Sequence, residues 1–221
     1  MVNAVKRRVA ILISGRGSNM AALIAAARTA NFPAEIAVVI SNKPDAAGLA
    51  KAKESNVATL VIDSSPFGKD RAAFEAALQA ALDQHGIELI CLGGFMRLLT
   101  TDFVNRWAGR MLNIHPSLLP SFRGRDPHGQ ALRAGVKVSG ATVHFVTPEM
   151  DAGPIVMQGA VAVREDDTPE TLAERVLRIE HRIYPDALRL VASGGARIDG
   201  DVCKTDATGG PDDTLVSPAI I

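Results

Sequence analysis

One early stretch sets the fold, an apolar run closed by a glycine loop: Val9-Ala10-Ile11-Leu12-Ile13-Ser14-Gly15-Arg16-Gly17-Ser18-Asn19. Five apolar residues in succession, bounded by a turn, are typical of a strand that is buried on both faces of a sheet. Residues 20–29, which follow the loop, are rich in alanine with apolar residues at helical spacing. They predict a helix, so the stretch reads as the first half of a βαβ unit.

The same alternation continues along the first half of the chain. We predict strands at 36–40, 59–62 and 89–92 and helices at 46–55 and 69–85. Strands joined by helices of this length form right-handed units in a parallel sheet, whose ligands bind at the carboxyl ends of the strands. The loops that follow residues 13, 40, 92 and 114 should therefore share one functional edge.

The second half of the chain has a different pattern. Strands are predicted at 140–146 and 155–163, around a loop at 147–154, and a helix should begin at Pro169 behind the cap Thr168. We expect Pro185 to bend or break this helix. The predicted fold is α/β: a Rossmann-like open, mostly parallel sheet flanked by helices on both faces, with an antiparallel portion in the C-terminal half.

The predicted organisation is one domain over residues 1–193. It has an N-terminal half at about 8–110, which contains the glycine loop, and a C-terminal half at about 111–193. Residues 194–221 are rich in Gly, Asp and Thr, and they predict a partly disordered extension with a short strand near 197–198.

Composition limits the classes of partner. The 221 residues are 47% apolar and carry 24 basic and 24 acidic side chains. A net charge near zero gives no electrostatic argument for nucleic acid or an anionic membrane as the main partner. The first apolar run has only five residues, too few for a signal peptide or a membrane span, so a cytoplasmic protein is expected.

The glycine loop is suited to binding an anion. Glycines let the backbone turn sharply, and the helix that follows presents unpaired N–H groups. The sequence is neither a Walker loop nor a complete dinucleotide motif. Two interpretations stay open, a plain strand-to-helix turn and a phosphate site, and one short loop suits a single phosphate better than a pyrophosphate.

A second constellation carries chemistry, in the run Asn113-Ile114-His115-Pro116-Ser117-Leu118-Leu119-Pro120. Asn113 and His115 are two residues apart and share one face of an extended strand. A carboxamide can donate to an oxyanion and an imidazole can carry protons, as acyl transfer requires. Asp151, if close, would orient the imidazole and favour its charged form.

The alternatives for these residues are a structural histidine beside a proline and a metal site. A site made of His115, His128, His144 and Asp151 is conceivable, but these residues lack tight ligand spacing, and we expect no metal. No obvious Ser or Cys nucleophile accompanies the trio, so the attacking group is expected to come from the substrates and not from the protein.

Several stretches together resemble the folate-dependent phosphoribosylglycinamide formyltransferases of purine synthesis. The matching segments are 13–19, 40–46, 94–99, 112–120, 143–154 and 180–185. The resemblance covers roughly residues 8–190 and implies formyl transfer from 10-formyltetrahydrofolate to the amine of glycinamide ribonucleotide. It also implies small-molecule substrates only, no metal, and a monomer or weak homodimer.

The resemblance implies a role for each matching residue. The catalytic trio would be Asn113, His115 and Asp151. Glycinamide ribonucleotide would contact Gly17, Ser18, Asn19, Met20, Ala21 and Glu180. The folate would contact Arg71, Met96, Arg97, Leu98, Leu99 and Asn113, together with the loop Thr147, Pro148, Glu149, Met150 and Asp151.

The chain departs from the family pattern at two places. The segment 121–128 is unusually basic, with Arg123 and Arg125, and Leu177 is apolar where a polar substrate contact is often found. Three other functions are alternatives: a deformylase that uses water as acceptor, a methionyl-tRNA formyltransferase, and a silent binding module. Eight residues precede the first strand and about thirty follow the last helix, which leaves little room for the regulatory or RNA-binding domain of the first two. The intact trio argues against the third.

Overall fold

A computed structural model of the chain describes residues 6–206. The part of the predicted extension at 207–221 lies outside the described residues. Two compact units make up the chain. The first comprises the residues up to Asn113 together with 145–148, and the second comprises 114–144 and the residues from Glu149 onward.

Five parallel strands and four helices lie in the first unit, except that the last two residues of β5 belong to the second unit. In chain order they are β1 (Arg7–Ile13), α1 (Ser18–Ala27), β2 (Ala34–Ser41), α2 (Gly48–Glu54), β3 (Thr59–Val61), α3 (Arg71–Gln84), β4 (Leu89–Leu92), α4 (Thr101–Arg106) and β5 (Met111–His115). Strand β1 pairs in parallel with both β2 and β4. Strand β3 pairs with β2, and β5 with β4, where Asn113 lies opposite Leu92.

The core of the first unit explains why its strands are apolar runs. Residues 9–13 of β1 and all four residues of β4 are buried. On one face they pack with side chains from α3 and α4 that include Phe74, Leu78, Phe103 and Trp107. The predicted strands of the first half are confirmed because a strand covered on both faces needs such a run.

The second unit combines an antiparallel pair, two helices and a small hairpin. Its elements are α5 (Pro127–Arg133), β6 (Val138–Phe145), β7 (Ile155–Ala162), α6 (Pro169–Ala192), β8 (Ala196–Asp199) and β9 (Val202–Thr205). The main sheet has the strand order β3-β2-β1-β4-β5-β6-β7, and β8 and β9 form a second sheet. The predicted Rossmann-like, mostly parallel fold with an antiparallel C-terminal portion is confirmed.

Helix α6 corrects one prediction. It continues through Pro185 to Ala192, so the expected break at this proline is wrong. A proline removes one backbone donor and crowds the preceding turn. Here Tyr184, Ala187 and Leu188, on both sides of the proline, are completely buried. We infer that this apolar face stabilises the helix across the missing hydrogen bond.

Two helices were not predicted, α4 and α5. Each is short, with six and seven residues, and begins behind a capping side chain, Thr100 and Asp126 respectively. The strand near 197–198 is present and is paired with β9. Within residues 6–206, no helix combines the length and the hydropathy that crossing a bilayer requires.

Candidate active site

Strand β5 carries the first two residues of the predicted trio. Asn113 is half-buried while the other four residues of β5 are buried, and His115 ends the strand. Because side chains alternate along a strand, Asn113 and His115 point to the same face. The backbone then turns at once, with Ser117 N–H donating to the His115 carbonyl at 2.9 Å.

The third residue of the trio lies beside the imidazole. Asp151 Oδ2 is 3.4 Å from Nδ1 of His115, and Oδ1 is 3.9 Å from Nε2 of His144. All three side chains are at most 9% exposed. Water therefore screens their charges little, and the carboxylate acts on the His115 ring with far more effect than at a surface.

Each nitrogen of the His115 ring faces an oxygen atom. Nε2 lies 3.0 Å from the carbonyl oxygen of Phe122, which can only accept a hydrogen bond. Nδ1 faces the Asp151 carboxylate, which accepts when ionised. Both nitrogens of the His115 ring therefore lie next to oxygen atoms that can accept a hydrogen bond.

The turn after His115 is fixed by polar side chains from β6 and β7. Thr142 Oγ1 donates to the carbonyl of Ser117 at 2.7 Å and accepts from the N–H of Leu119 at 3.0 Å. Gln158 Nε2 donates to the carbonyl of Leu119 and to Thr142 Oγ1, both at 2.9 Å. These bonds satisfy buried backbone groups and hold the strand end that carries His115.

Thr142 and Gln158 were not predicted to support the site. Phe122 and Gly124, whose backbone groups contact His115 and Asp151, were not predicted either. Position alone could have suggested Thr142, which lies two residues from His144 on the same strand face. A backbone contact leaves no signal in residue type, so sequence reasoning could not find Phe122.

The glycine loop of the first unit has the geometry of an anion site. Gly17 is in the left-handed conformation with φ 66° and precedes α1, which has no side-chain cap and no acidic residue in its first turn. Gly48 stabilises the loop, since its N–H donates to the Gly15 carbonyl at 2.9 Å. The first intrahelical bond runs from Ala21 N–H to Gly17. The N–H groups of the preceding helical residues point outward along the axis.

Close packing explains why glycines form this loop. A Cβ on Gly17 would lie 3.0 Å from the Cα of Gly48, and a Cβ on Gly48 would lie 2.6 Å from Ile13 Cδ1. Asn19, the second residue of α1, is buried, and Ser18 is half-buried. Met20 packs in the core.

Residues 93–99 form a second feature of the first unit. The N–H of Met96 donates to Ser14 Oγ at 2.8 Å, which ties the segment to the end of β1. The Arg97 guanidinium lies 4.7 Å from the centre of the Phe74 ring. Met96 and Leu98 are 80% and 61% exposed. Two exposed apolar side chains on a fixed segment offer a surface for a flat, apolar ligand, and Leu99 packs partly into the core.

The other predicted residues lie on several elements. Arg71 is the exposed first residue of α3, and Thr147 and Pro148 belong to the first unit. In the second unit, Glu149 and Met150 are exposed, and Glu180 is buried on α6 with a polar partner. Among the described residues no group of three or more His, Cys, Asp or Glu side chains has the arrangement to hold a metal ion.

Two further histidines of the second unit are held towards the neutral form. Burial lowers the pKa of His128, an effect that Asp126 opposes and the charge of His115 reinforces. Burial also lowers the pKa of His181, the neighbour of Glu180. Neither Nδ1 of His128 nor Nε2 of His181 has a hydrogen-bond partner.

A cavity of about 480 Å³ lies in the second unit beside Asp151. Leu119, Arg123 and Gln158 line one side of it, and Cys203 of β9 lines another. Its volume leaves room for water next to the carboxylate.

Comparison with known proteins identifies the family of the chain. Residues 7–188 match the model of the family described as formyl transferase. The trifunctional purine biosynthetic protein adenosine-3 of Bos taurus is 52% identical over 200 residues, 90% of this chain and 20% of that protein. The chain thus spans about a fifth of the length of this relative.

Two relatives of similar length also match. The phosphoribosylglycinamide formyltransferase of Escherichia coli is 41% identical, over 90% of this chain and 93% of the relative. The crystal structure of glycinamide ribonucleotide transformylase 1 from Symbiobacterium toebii superposes with a TM-score of 0.87 at 46% identity. It covers 90% of this chain and 94% of that one.

The predicted resemblance to the phosphoribosylglycinamide formyltransferases is confirmed. The match extends over most of the chain and over nearly the whole length of two relatives. This chain therefore belongs to the formyl transferase family and, within it, to the phosphoribosylglycinamide formyltransferases.

Proposed function

We propose that this chain transfers the formyl group of 10-formyltetrahydrofolate to the amine of glycinamide ribonucleotide. The products are formylglycinamide ribonucleotide and tetrahydrofolate. The observation that carries the proposal is the buried contact between His115 and Asp151 at the end of the strand that also bears Asn113. No metal takes part in the proposed reaction.

The proposed reaction begins with attack by the neutral amine on the formyl carbon. A C–N bond forms, the carbonyl oxygen becomes an oxyanion, and the amine becomes an ammonium. Asn113 donates a hydrogen bond to the oxyanion and the His115 imidazolium stabilises its charge. One donor of this kind has been worth roughly 3–4 kcal/mol where it was removed from an enzyme.

The intermediate collapses when a proton moves from the ammonium to N10 of the folate. The C–N10 bond then breaks, the oxyanion returns its electrons to the carbonyl, and no net proton is gained or lost. The buried Asp151 carboxylate is the proposed relay for this proton, with water in the adjacent cavity as a carrier. No protein nucleophile is needed, because the attacking group is the amine of the substrate.

The glycine loop is the proposed site of the substrate phosphate. The left-handed Gly17 and the uncapped start of α1 leave the N–H groups of Ser18, Asn19 and Met20 for the anion, beside Ala21. Glu180, buried on α6, is proposed to meet the ammonium or amine of glycinamide ribonucleotide.

The pterin ring of the folate is proposed to bind the segment 96–99. One edge of the folate is proposed to bind the loop 147–151. Support comes from the exposed apolar side chains of Met96, Leu98 and Met150. Arg97 is proposed to contact the folate through its backbone, since its side chain packs over the Phe74 ring. Arg71 is an exposed cation that suits a carboxylate of the folate. A cytoplasmic enzyme that is a monomer or weak homodimer completes the proposal.

The test is an assay of the purified protein with 10-formyltetrahydrofolate and two alternative acceptors. Release of tetrahydrofolate should require glycinamide ribonucleotide and be at least about 100-fold slower with water alone, since an ordered amine competes far better than solvent. Equal rates with and without the amine substrate would instead indicate a deformylase.

A further inference from the structure

We propose that the loop of residues 121–126 is a positioning device for the His115–Asp151 pair. It acts through two backbone groups, the carbonyl of Phe122 and the N–H of Gly124. This inference rests on the proposed function, because it assigns a role in the same reaction.

The loop contacts both members of the pair. His115 Nε2 lies 3.0 Å from the Phe122 carbonyl oxygen, and the Gly124 N–H donates to Asp151 Oδ2 at 3.0 Å. That oxygen is the one that lies 3.4 Å from His115 Nδ1. The loop therefore contacts both side chains of the pair. The Phe122 carbonyl lies next to Nε2 of the imidazole, and the Gly124 N–H binds the carboxylate oxygen that faces Nδ1.

The backbone of the loop adopts a conformation that its sequence does not favour. Phe122, Gly124 and Asp126 all have positive φ, at 57°, 78° and 56°. A bulky residue such as phenylalanine is rarely found there, and such strain persists only where surrounding contacts impose it. The strained residue is the one whose carbonyl faces His115, which links the conformation to the pair.

Contacts outside the pair fix the loop in this shape. Gln130 Nε2 donates to the Arg125 carbonyl at 2.7 Å, and Asp126 Oδ1 accepts from the N–H of Gly129 at 3.1 Å, capping α5. Arg123 forms an ion pair of 2.9 Å with Glu149. The loop is therefore held from α5 and from the loop that carries Asp151.

Backbone partners suit this task better than side chains. The Phe122 carbonyl can only accept, so it keeps a proton on Nε2 and leaves the Asp151 side to Nδ1. The Gly124 N–H can only donate, so it stabilises the ionised carboxylate and fixes its rotation. Together they preorganise an imidazolium facing a carboxylate, the arrangement on which the proposed oxyanion stabilisation depends.

The test compares Gly124→Ala with the matched control Gly135→Ala. Both glycines have positive φ, 78° and 65°, and a Cβ on either would meet nothing within 4 Å. The two alanine variants therefore carry the same kind of backbone strain, but only Gly124 donates to Asp151. Gly124→Asn is a third variant, because asparagine tolerates the left-handed conformation better than alanine.

Three measurements are made on each variant of the whole chain. Steady-state kinetics give kcat and the two KM values, thermal denaturation gives the midpoint, and NMR gives the ¹⁵N chemical shifts of the His115 ring. We expect Gly124→Ala to lower kcat about 10- to 100-fold with both KM values within about threefold. The His115 ring nitrogens should shift. Gly124→Asn should recover part of kcat, and Gly135→Ala should lower the thermal midpoint similarly but keep kcat and the ring shifts.

The proposal is overturned if Gly124→Ala keeps the kcat of the unaltered chain, or if its His115 ring shifts match those of Gly135→Ala. Failure of the proposed function would be distinct, because the unaltered chain would then transfer no formyl group. In that case the ring shifts of the two variants still decide whether the loop positions His115.

Discussion

Oδ2 of Asp151 receives the Gly124 N–H at 3.0 Å and lies 3.4 Å from Nδ1 of His115. One carboxylate oxygen thus connects a fixed backbone donor to the imidazole. Both side chains are less than a tenth exposed, so water screens the charges of the pair poorly. Such a pair can stabilise developing negative charge on a substrate without rearranging, which is the property that formyl transfer to an amine requires.

Replacement of His115 should remove catalysis and spare binding. His115→Ala deletes the imidazolium, so we expect kcat to fall by about 10²- to 10⁴-fold. The dissociation constant of the folate should stay within several-fold, because the proposed pterin contacts lie on other residues. Steady-state kinetics and equilibrium folate binding measure the two effects. His85→Ala, at the end of α3, is the control, and unchanged turnover by His115→Ala would end the proposed role.

Neutralising Asp151 should separate charge from shape. Asp151→Asn keeps the size of the side chain and an acceptor for Gly124 but removes the negative charge beside His115. We expect kcat to fall by about 100-fold or more, measured in the same assay, with thermal stability little changed. The control is Glu165→Gln, whose side chain is 92% exposed. A kcat equal to that of the control would contradict the coupling.

His128 offers a test of the charge around His115. Its pKa lies below the ordinary value because it is buried and near the His115 charge, although Asp126 opposes the shift. It should therefore be neutral at pH 7.5. His128→Gln keeps a neutral side chain and should keep kcat within about twofold, whereas His128→Arg adds a permanent cation and should lower kcat about tenfold. Equal activity of the two variants would show that charge at this position is immaterial.

A methyl group at Gly17 should damage substrate binding. Gly17→Ala strains a residue with φ 66° and places a Cβ 3.0 Å from the Cα of Gly48, so the loop must shift. We expect KM for glycinamide ribonucleotide to rise by about fivefold or more, with little change in KM for the folate. Gly68→Ala is matched in backbone strain, since Gly68 has φ 50° and open space around it. If both variants raise KM equally, the loop does not bind the phosphate.

Ionised Asp167 should stabilise the fold at neutral pH, and this contribution to the free energy of unfolding should be lost in acid. Arg175 donates to both of its oxygens, at 2.7 and 2.8 Å, and these bonds hold the Asp167 pKa well below its usual range. A lowered folded-state pKa adds stability above the unfolded pKa of about 3.9, and this contribution is lost as the pH falls towards the folded value.

Asp167→Asn should therefore lower the free energy of unfolding by about 2 to 3 kcal/mol at pH 7. The difference from the unaltered chain should shrink at pH 3. Urea denaturation at the two pH values measures it. Glu165→Gln, which removes an exposed pair with Lys137, should leave the free energy of unfolding nearly unchanged. An equally large loss at both pH values would refute the role of the Asp167 charge.

Most of the fold could be predicted from local sequence patterns. The run from Val9 to Asn19 predicted β1, the glycine loop and α1 because burial on two faces and a sharp turn both leave marks in residue type. Helices α4 and α5 were missed because six or seven residues show too little periodicity. The prediction of a break at Pro185 is wrong because local sequence does not reveal the buried face that stabilises α6 across this residue.

The site divides in the same way. Asn113 and His115 could be paired from sequence because they are two residues apart on one strand, whereas the distance from His115 to Asp151 depends on tertiary structure. The contacts of Phe122 and Gly124 use backbone groups that every residue possesses. Their importance follows from positive φ values and distances, and only a three-dimensional structure provides these.

The most direct test follows the formyl carbon itself. The protein is mixed with tetrahydrofolate carrying a ¹³C-labelled 10-formyl group and with glycinamide ribonucleotide, and the label is located by NMR. We predict that the label appears in the formamide of the ribonucleotide product, and that His115→Ala leaves it on the folate. Release of the label as free formate in the presence of the amine substrate would contradict direct formyl transfer.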